Sequence, residues 1–436
     1  MIIAPALYRL LGPFFLLIYL SILHAQTDEI LDRLVAQNPV FEQGYSGFCL
    51  YDPVGKEFLY EYRADQRFTP ASNIKLLTFL LVEELLDMDR VPALWFKDFG
   101  SRVEVWGTGL PLEMVTKIPF PEAKGKPMII HQAPSLARYG PGWSYDDYEY
   151  GYVFERSSLP AYGNRLSISV DSIGALVYEP GFLADSVQLI GEEEGPLISR
   201  EEWTNHFELD TTSGFTSDFE LGVSLRLDDA TVRALYKSAW HSDIELGQQP
   251  IPVSNSALPL LRAALPDSIL THTLQESDNF WAEQLLLLCA SERQSNLDVE
   301  TLLEYATDTL WADWQTPIEM DWVDGSGLSR YNQLSPRHLI RVLERLQEKL
   351  GLDDLKSYLP ANGISGTLED RFITGRPPYI WAKTGSLRHV LALSGIVKTK
   401  SGRHLLFSFM HNNRQVGSRI YYREMEKVFT YLYNKY

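Results

Sequence analysis

The chain has 436 residues, of which 45% are hydrophobic and 22% charged, enough for two or three packed cores and no disordered bulk. Its net charge of −18 argues against nucleic acid or an anionic membrane surface as a partner. The histidines form no His-Glu-x-x-His pair, and neither a phosphate-binding loop nor a dinucleotide fingerprint occurs, so zinc hydrolysis and nicotinamide chemistry have no foothold, and no cofactor is expected.

Residues 1–25 carry a single charge, Arg9, followed by the apolar run Leu10–Leu23 with Pro13 inside it. The run is shorter than the ~20 residues a membrane span needs. Small Ala25 and a polar stretch follow, the pattern of a cleaved secretory leader, which places the mature protein outside the cytoplasm. An uncleaved anchor is the alternative.

"GFCLYDPVGKEFLYEY" reads as two strands joined by a tight turn at Pro53-Val54-Gly55. "NIKLLTFLLVEELL" then has apolar residues on nearly every side, as a centrally buried helix does. From 93 to about 250 the chain is rich in Gly, Pro, Tyr and Trp, with short alternating stretches, and reads as a mostly β module. From 251 the pattern is helical, through "ALPLLRAALPDSILTHTL", "NFWAEQLLLLCA", "VETLLEYATDTL" and "SPRHLIRVLERLQEKL". Ser335-Pro336 is placed as an N-cap and first-turn proline. Three strands ("YIWAKTGSL", "VLALSGIVKTKSG", "RHLLFSFMHNN") and a last helix close the chain. Strands at both ends with helices between predict one α+β domain, 26–92 with 251–436, split by a mostly β insertion at 93–250. Cys49 and Cys289 both sit in apolar surroundings and read as buried free thiols, a single disulfide being the alternative.

Ser72 and Lys75 stand three residues apart where the apolar helix begins, so both side chains face one way. A serine hydroxyl needs a base in reach, and a lysine serves only if its pKa is depressed. Alone the pair also fits a capping serine and a snorkelling lysine. Two further motifs accompany it in order: Ser277-Asp278-Asn279 before a buried helix, and Lys383-Thr384-Gly385 inside a strand. The three together are the signature of penicillin-interacting serine enzymes.

With "DGSGLSR" (324–330), "NGISGTLEDRF" (362–372), "GWSYDDY" (142–148) and a long insert between the first two motifs, the sequence resembles the class C low-molecular-mass penicillin-binding proteins, the D-alanyl-D-alanine carboxypeptidase/endopeptidases. The resemblance covers most of residues 45–415. It implies a penicillin-binding transpeptidase/β-lactamase-like fold, an antiparallel sheet flanked by helices. It also implies a periplasmic location, peptidoglycan stem peptides as substrate and β-lactams as covalent inhibitors. Ser72 is then the nucleophile and Lys75 its base, with Lys383 nearby helping to keep Lys75 neutral. Ser277 relays the proton, and Asn279 holds Lys75 and the substrate amide. Thr384 and Ser386, flanking Gly385, hold the terminal carboxylate, and the N–H groups of Ser72 and Ser386 form the oxyanion hole. Asp146 and Asp147 are candidates to meet a free amino group on the stem peptide, or are a solvated acidic turn. Ser326 in "DGSGLSR" is given no catalytic part. No glutamate for deacylation stands out, so β-lactams are expected to inhibit rather than turn over. The competing readings are a β-lactamase or esterase on the same fold, and a non-catalytic wall-binding homologue.

Overall fold

The computed structural model describes residues 28–191, 197–240, 244–251, 258–293, 296–312, 319–373 and 375–436. The expected leader, 1–25, lies outside them. Among the described residues no helix is long and apolar enough to cross a membrane.

The organising element is a five-stranded antiparallel sheet. Its order is Ile380–Leu387, Val390–Lys398, His404–Asn412, Tyr45–Asp52 and Glu57–Tyr62. The two ends of the chain thus meet in its middle, where Phe48 pairs with Phe409 and Leu50 with Phe407. The middle strands are buried along almost their whole length, which is why they read as near-continuous apolar runs rather than as alternation. One face carries Phe48, Leu50, Phe407 and Phe409 against Met425, Val428, Phe429 and Leu432 of the last helix, Ser418–Lys435. The other carries Cys49, Tyr51, Ile396, Leu406 and Met410 against the helices Lys75–Leu85, Asn279–Glu292 and Pro336–Leu350. The α+β reading and its strand assignments at both chain ends hold.

The helix Lys75–Leu85 is enclosed. Leu76, Leu77, Phe79, Leu80, Leu81 and Val82 are all buried, worth roughly 2 kcal/mol each in apolar surface removed from water. That gross gain of about 10 kcal/mol offsets the cost of burying the Lys75 ammonium in the same helix. Pro336–Leu350 starts as its sequence predicts: Ser335 Oγ accepts from the His338 N–H, and Pro336 occupies the first turn. Cys49 and Cys289 are both buried free thiols whose pKa burial pushes up.

A second five-stranded sheet runs Ile244–Gly247, Met128–His131, Val103–Gly107, Val91–Asp98 and Leu260–Ala263, with parallel and antiparallel pairs. Its last strand corrects the helical reading of "ALPLLRAALP". Leu260–Ala263 pairs with Val91–Trp95, and helix starts only at Ser268. Leucine and alanine favour helix locally, but Pro259 and Pro266 leave too short a run, and a free sheet edge captures it. Two three-stranded sheets, Val187–Ile190 with Phe207–Asp210 and Ile198–Arg200, and Glu220–Ser224 with Arg165–Val170 and Leu176–Glu179, complete the region after Gly107 with the helix Asp229–Trp240.

Candidate active site

Residues Ala71–Ile74 form a 3₁₀ turn that leads directly into the α-helix from Lys75. Three residues per turn put Ser72 and Lys75 in line. Lys75 Nζ donates to Ser72 Oγ at 3.1 Å, to Asn279 Oδ1 at 2.7 Å and to the Ser326 carbonyl at 2.6 Å. All three of its donor directions are therefore used. On the other side, Lys383 Nζ donates to Ser277 Oγ at 2.9 Å and to the Thr384 carbonyl at 2.9 Å. The three motifs, distant in sequence, converge on one point.

Both lysines are completely buried. Burial pushes Lys75 down to about 8, against the pull of Asp324, Asp278 and Glu283. Burial, and after it the neighbouring Lys75, push Lys383 well below the usual lysine range. Burial is the leading cause of the Lys75 depression, and the repulsion between two buried ammonium groups is mutual.

Two backbone features seat the motif serines. Ala71 and Ser277, each beside or at a motif serine, have φ of 48° and 60°, the left-handed region that side chains avoid at a cost of about 1–3 kcal/mol. Two glycines let other backbones close in. A Cβ on Gly327, at φ 82°, would lie 2.0 Å from the Ala71 carbonyl oxygen. One on Gly385 would lie 2.6 Å from the Pro70 oxygen and 3.1 Å from the Ser72 nitrogen. Asn73 Nδ2 ties the turn to the same strand by donating to the Lys383 carbonyl at 3.2 Å.

The Ser277 turn is clamped by Asp278. Its Oδ1 caps the helix from Asn279 by accepting from the Trp281 N–H at 2.9 Å. Its Oδ2 meets His272 Nε2 at 3.2 Å and Arg165 Nη2 at 3.5 Å. Burial would raise this carboxyl, but the His272 hydrogen bond and the Arg165 charge hold it at about 2. The hydrogen bond to Asp278 in turn raises His272.

These groups open on a cleft of about 430 Å³ lined by Ser72, Ser277, Asn279, Ser386, Gly327, Leu328 and, from the region after Gly107, Trp143, Asp146, Asp147 and Tyr152. Ser386 is exposed on the edge strand, while Thr384 is buried and donates to Thr367 Oγ1 at 2.7 Å. Asp146 and Asp147 line the cleft from a 3₁₀ turn, Tyr145–Asp147. Arg330 and Arg388, which the sequence reading did not single out, line the same cleft, and Arg330 Nη2 donates to the Arg388 carbonyl. Also unforeseen were Thr367, the Tyr152 carbonyl that accepts from Asn279 Nδ2 at 2.9 Å, and the Ser326 carbonyl. Only the quoted stretches "GISGT" and "DGSG" hinted at two of them.

The fold, with paired motif serines and lysines at one cleft, is that of the penicillin-recognising serine proteins. The chain belongs to the D-Ala-D-Ala carboxypeptidase 3 (S13) family, whose model matches residues 191–429, a stretch that holds Ser277, Asn279 and Lys383. It is 35% identical over 158 residues to penicillin-sensitive carboxypeptidase A of Dictyostelium discoideum, covering 33% of this chain and 30% of that protein. It is 40% identical over 200 residues to a Mycobacterium tuberculosis carboxypeptidase, covering 44% and 40%. The chain thus spans well under half of these curated relatives. Among solved structures, penicillin binding protein 4 from Haemophilus influenzae superposes with a TM-score of 0.70 over 93% of this chain and 99% of that one, at 20% identity, which shows the shared fold.

Proposed function

We propose that the protein is a serine D-Ala-D-Ala carboxypeptidase with D,D-endopeptidase capacity, acting on peptidoglycan stem peptides in the periplasm through an acyl-enzyme that β-lactams trap. The observation that carries this reading is Lys75 Nζ, buried and held between Ser72 Oγ and Asn279 Oδ1. A buried lysine whose pKa is pushed down to about 8 keeps a minor neutral fraction at neutral pH that grows toward pH 8, and that form accepts a proton from a serine 3.1 Å away.

In this reading Ser72 Oγ attacks the carbonyl carbon of the D-Ala-D-X bond while its proton passes to Lys75. The negative oxygen of the tetrahedral intermediate faces the N–H groups of Ser72 and Ser386. The close approach of the Gly385 backbone to the Ser72 nitrogen supports that pairing. The C–N bond then breaks; Ser277 delivers its proton to the departing amine and takes up the one Lys75 received, which returns Lys75 to the neutral amine. Water cleaves the resulting ester and regenerates Ser72. Lys383 sits beside Ser277, and a substrate carboxylate bound at Thr384 and Ser386 restores its charge. Carboxypeptidase and endopeptidase activity share this acylation and differ only in what the leaving amine belongs to.

Intact-protein mass after incubation with benzylpenicillin tests the reading. A single stable adduct is expected on the wild type and none on Ser72→Ala. Consumption of the drug without an adduct would instead indicate a β-lactamase, and an intact drug with no adduct would overturn the catalytic reading.

A further inference from the structure

Behind Lys75, on the side away from the cleft, lies a buried charge cluster with no part in the steps above. Glu283 is one helical turn past Asn279 and is 1% exposed. Its Oε1 accepts from the N–H groups of both Gly325 (2.9 Å) and Ser326 (2.8 Å). Those two N–H groups define the turn whose next oxygen, the Ser326 carbonyl, accepts from Lys75 Nζ. Thr78 Oγ1, on the nucleophile helix, holds the same turn by donating to the Gly325 carbonyl at 2.7 Å. The neighbouring carboxylate, Asp324, accepts from the Gly327 and Ser329 N–H groups, from Asn332 Nδ2 and from Trp143 Nε1.

We infer that Glu283 is a positioning residue for the proton acceptor: its carboxylate turns the Ser326 carbonyl onto Lys75 Nζ and sets part of the negative charge that Lys75 senses. This rests on the assignment of Lys75 as base. Glu283 does not line the cleft, so it acts through Lys75 and not on substrate or water. The charged groups facing Lys75 are Asp324, Asp278 and Glu283, with Lys383 across the site; those facing Glu283 are Asp324 and Arg156. Burial, then Asp324, raise Glu283 to about 7. Glu283 therefore titrates just below the pH at which Lys75 does, and where it is ionised its charge favours the ammonium form of Lys75.

The test is the pH dependence of acylation by a fluorescent penicillin. In Glu283→Gln the amide oxygen still accepts from the Gly325 and Ser326 N–H groups, but the charge is gone. Between about pH 7 and 8, where the wild-type carboxylate is ionised and Lys75 is still titrating, the acidic limb is expected to move to lower pH by roughly half a unit, read as an about threefold faster acylation there. In Glu283→Asp the charge stays but the oxygen retracts. The limb is expected to stay in place while the plateau falls by about tenfold or more. A Glu283→Gln profile that superimposes on wild type overturns the inference. Should that variant fail to fold, a Glu283→Asp protein with wild-type limb and plateau overturns it equally. Wild-type protein that does not acylate at any pH overturns the base assignment itself, a result distinct from either.

Discussion

The cleft has two unlike walls. One is made by the edge strand Ile380–Leu387, the Ala71–Ile74 turn and the helix from Asn279, where Lys75 and Lys383 are wholly buried and every motif group has a named partner. The other is made by Trp143–Tyr152, a stretch of short turns with Tyr145, Tyr150 and Tyr152 exposed. Sheet and helix hydrogen bonds fix positions to fractions of an ångström, and turns at the surface do not. On the proposed function, the difference assigns chemistry to the first wall and choice of ligand to the second.

Substitutions can break that division. The largest effect is expected for Lys75→Met, which keeps the volume but removes the base. Penicillin acylation should fall by about 10³-fold, measured as the rate of adduct formation. Gly385→Ala comes next. Its methyl would press on the Pro70 oxygen at 2.6 Å and displace the nucleophile turn, so acylation should fall about 10²-fold. If this variant acylates normally, the tight packing of the first wall is not what aligns Ser72. In the wild type, acylation should rise about tenfold per pH unit while Lys75 is protonated and flatten above about 8, because only the neutral amine accepts the proton. A rate flat across that range would remove Lys75 as base. Asp278→Ala removes a helix cap and should cost about 1 kcal/mol of stability in thermal unfolding, with slower acylation as the Ser277 turn loosens. The smallest effects fall on the second wall. Asp146→Asn and Asp147→Asn should leave unfolding within about 0.5 kcal/mol of wild type and penicillin acylation within a few-fold, while shifting the preference among stem peptides.

The first wall was also the legible one. Ser72 with Lys75, Ser277 with Asn279, and Lys383 with Gly385 announce themselves because each pair is fixed by local spacing on one turn, helix or strand. What escaped the sequence was contributed by main-chain atoms or by side chains paired only in space. The Ser326 and Tyr152 carbonyls carry no residue-type signal, and Glu283 looks like any polar residue on an apolar helix until residues 325 and 326 fold over it. Leu260–Ala263 escaped for a related reason: its strand character comes from its partner, Val91–Trp95, and not from its own composition. The depression of Lys75 was foreseen, by burial or by a neighbouring cation; that burial leads is legible only in the fold.

The pairing of Tyr45–Asp52 with His404–Asn412 has a consequence for timing. These strands sit side by side though most of the chain lies between them, an arrangement of high contact order whose loop-closure entropy slows folding. The Ser72 turn leans on Lys383 and Gly385, which are made long after it. A chain still being made therefore holds Ser72 and Lys75 before it holds the strand that aligns them.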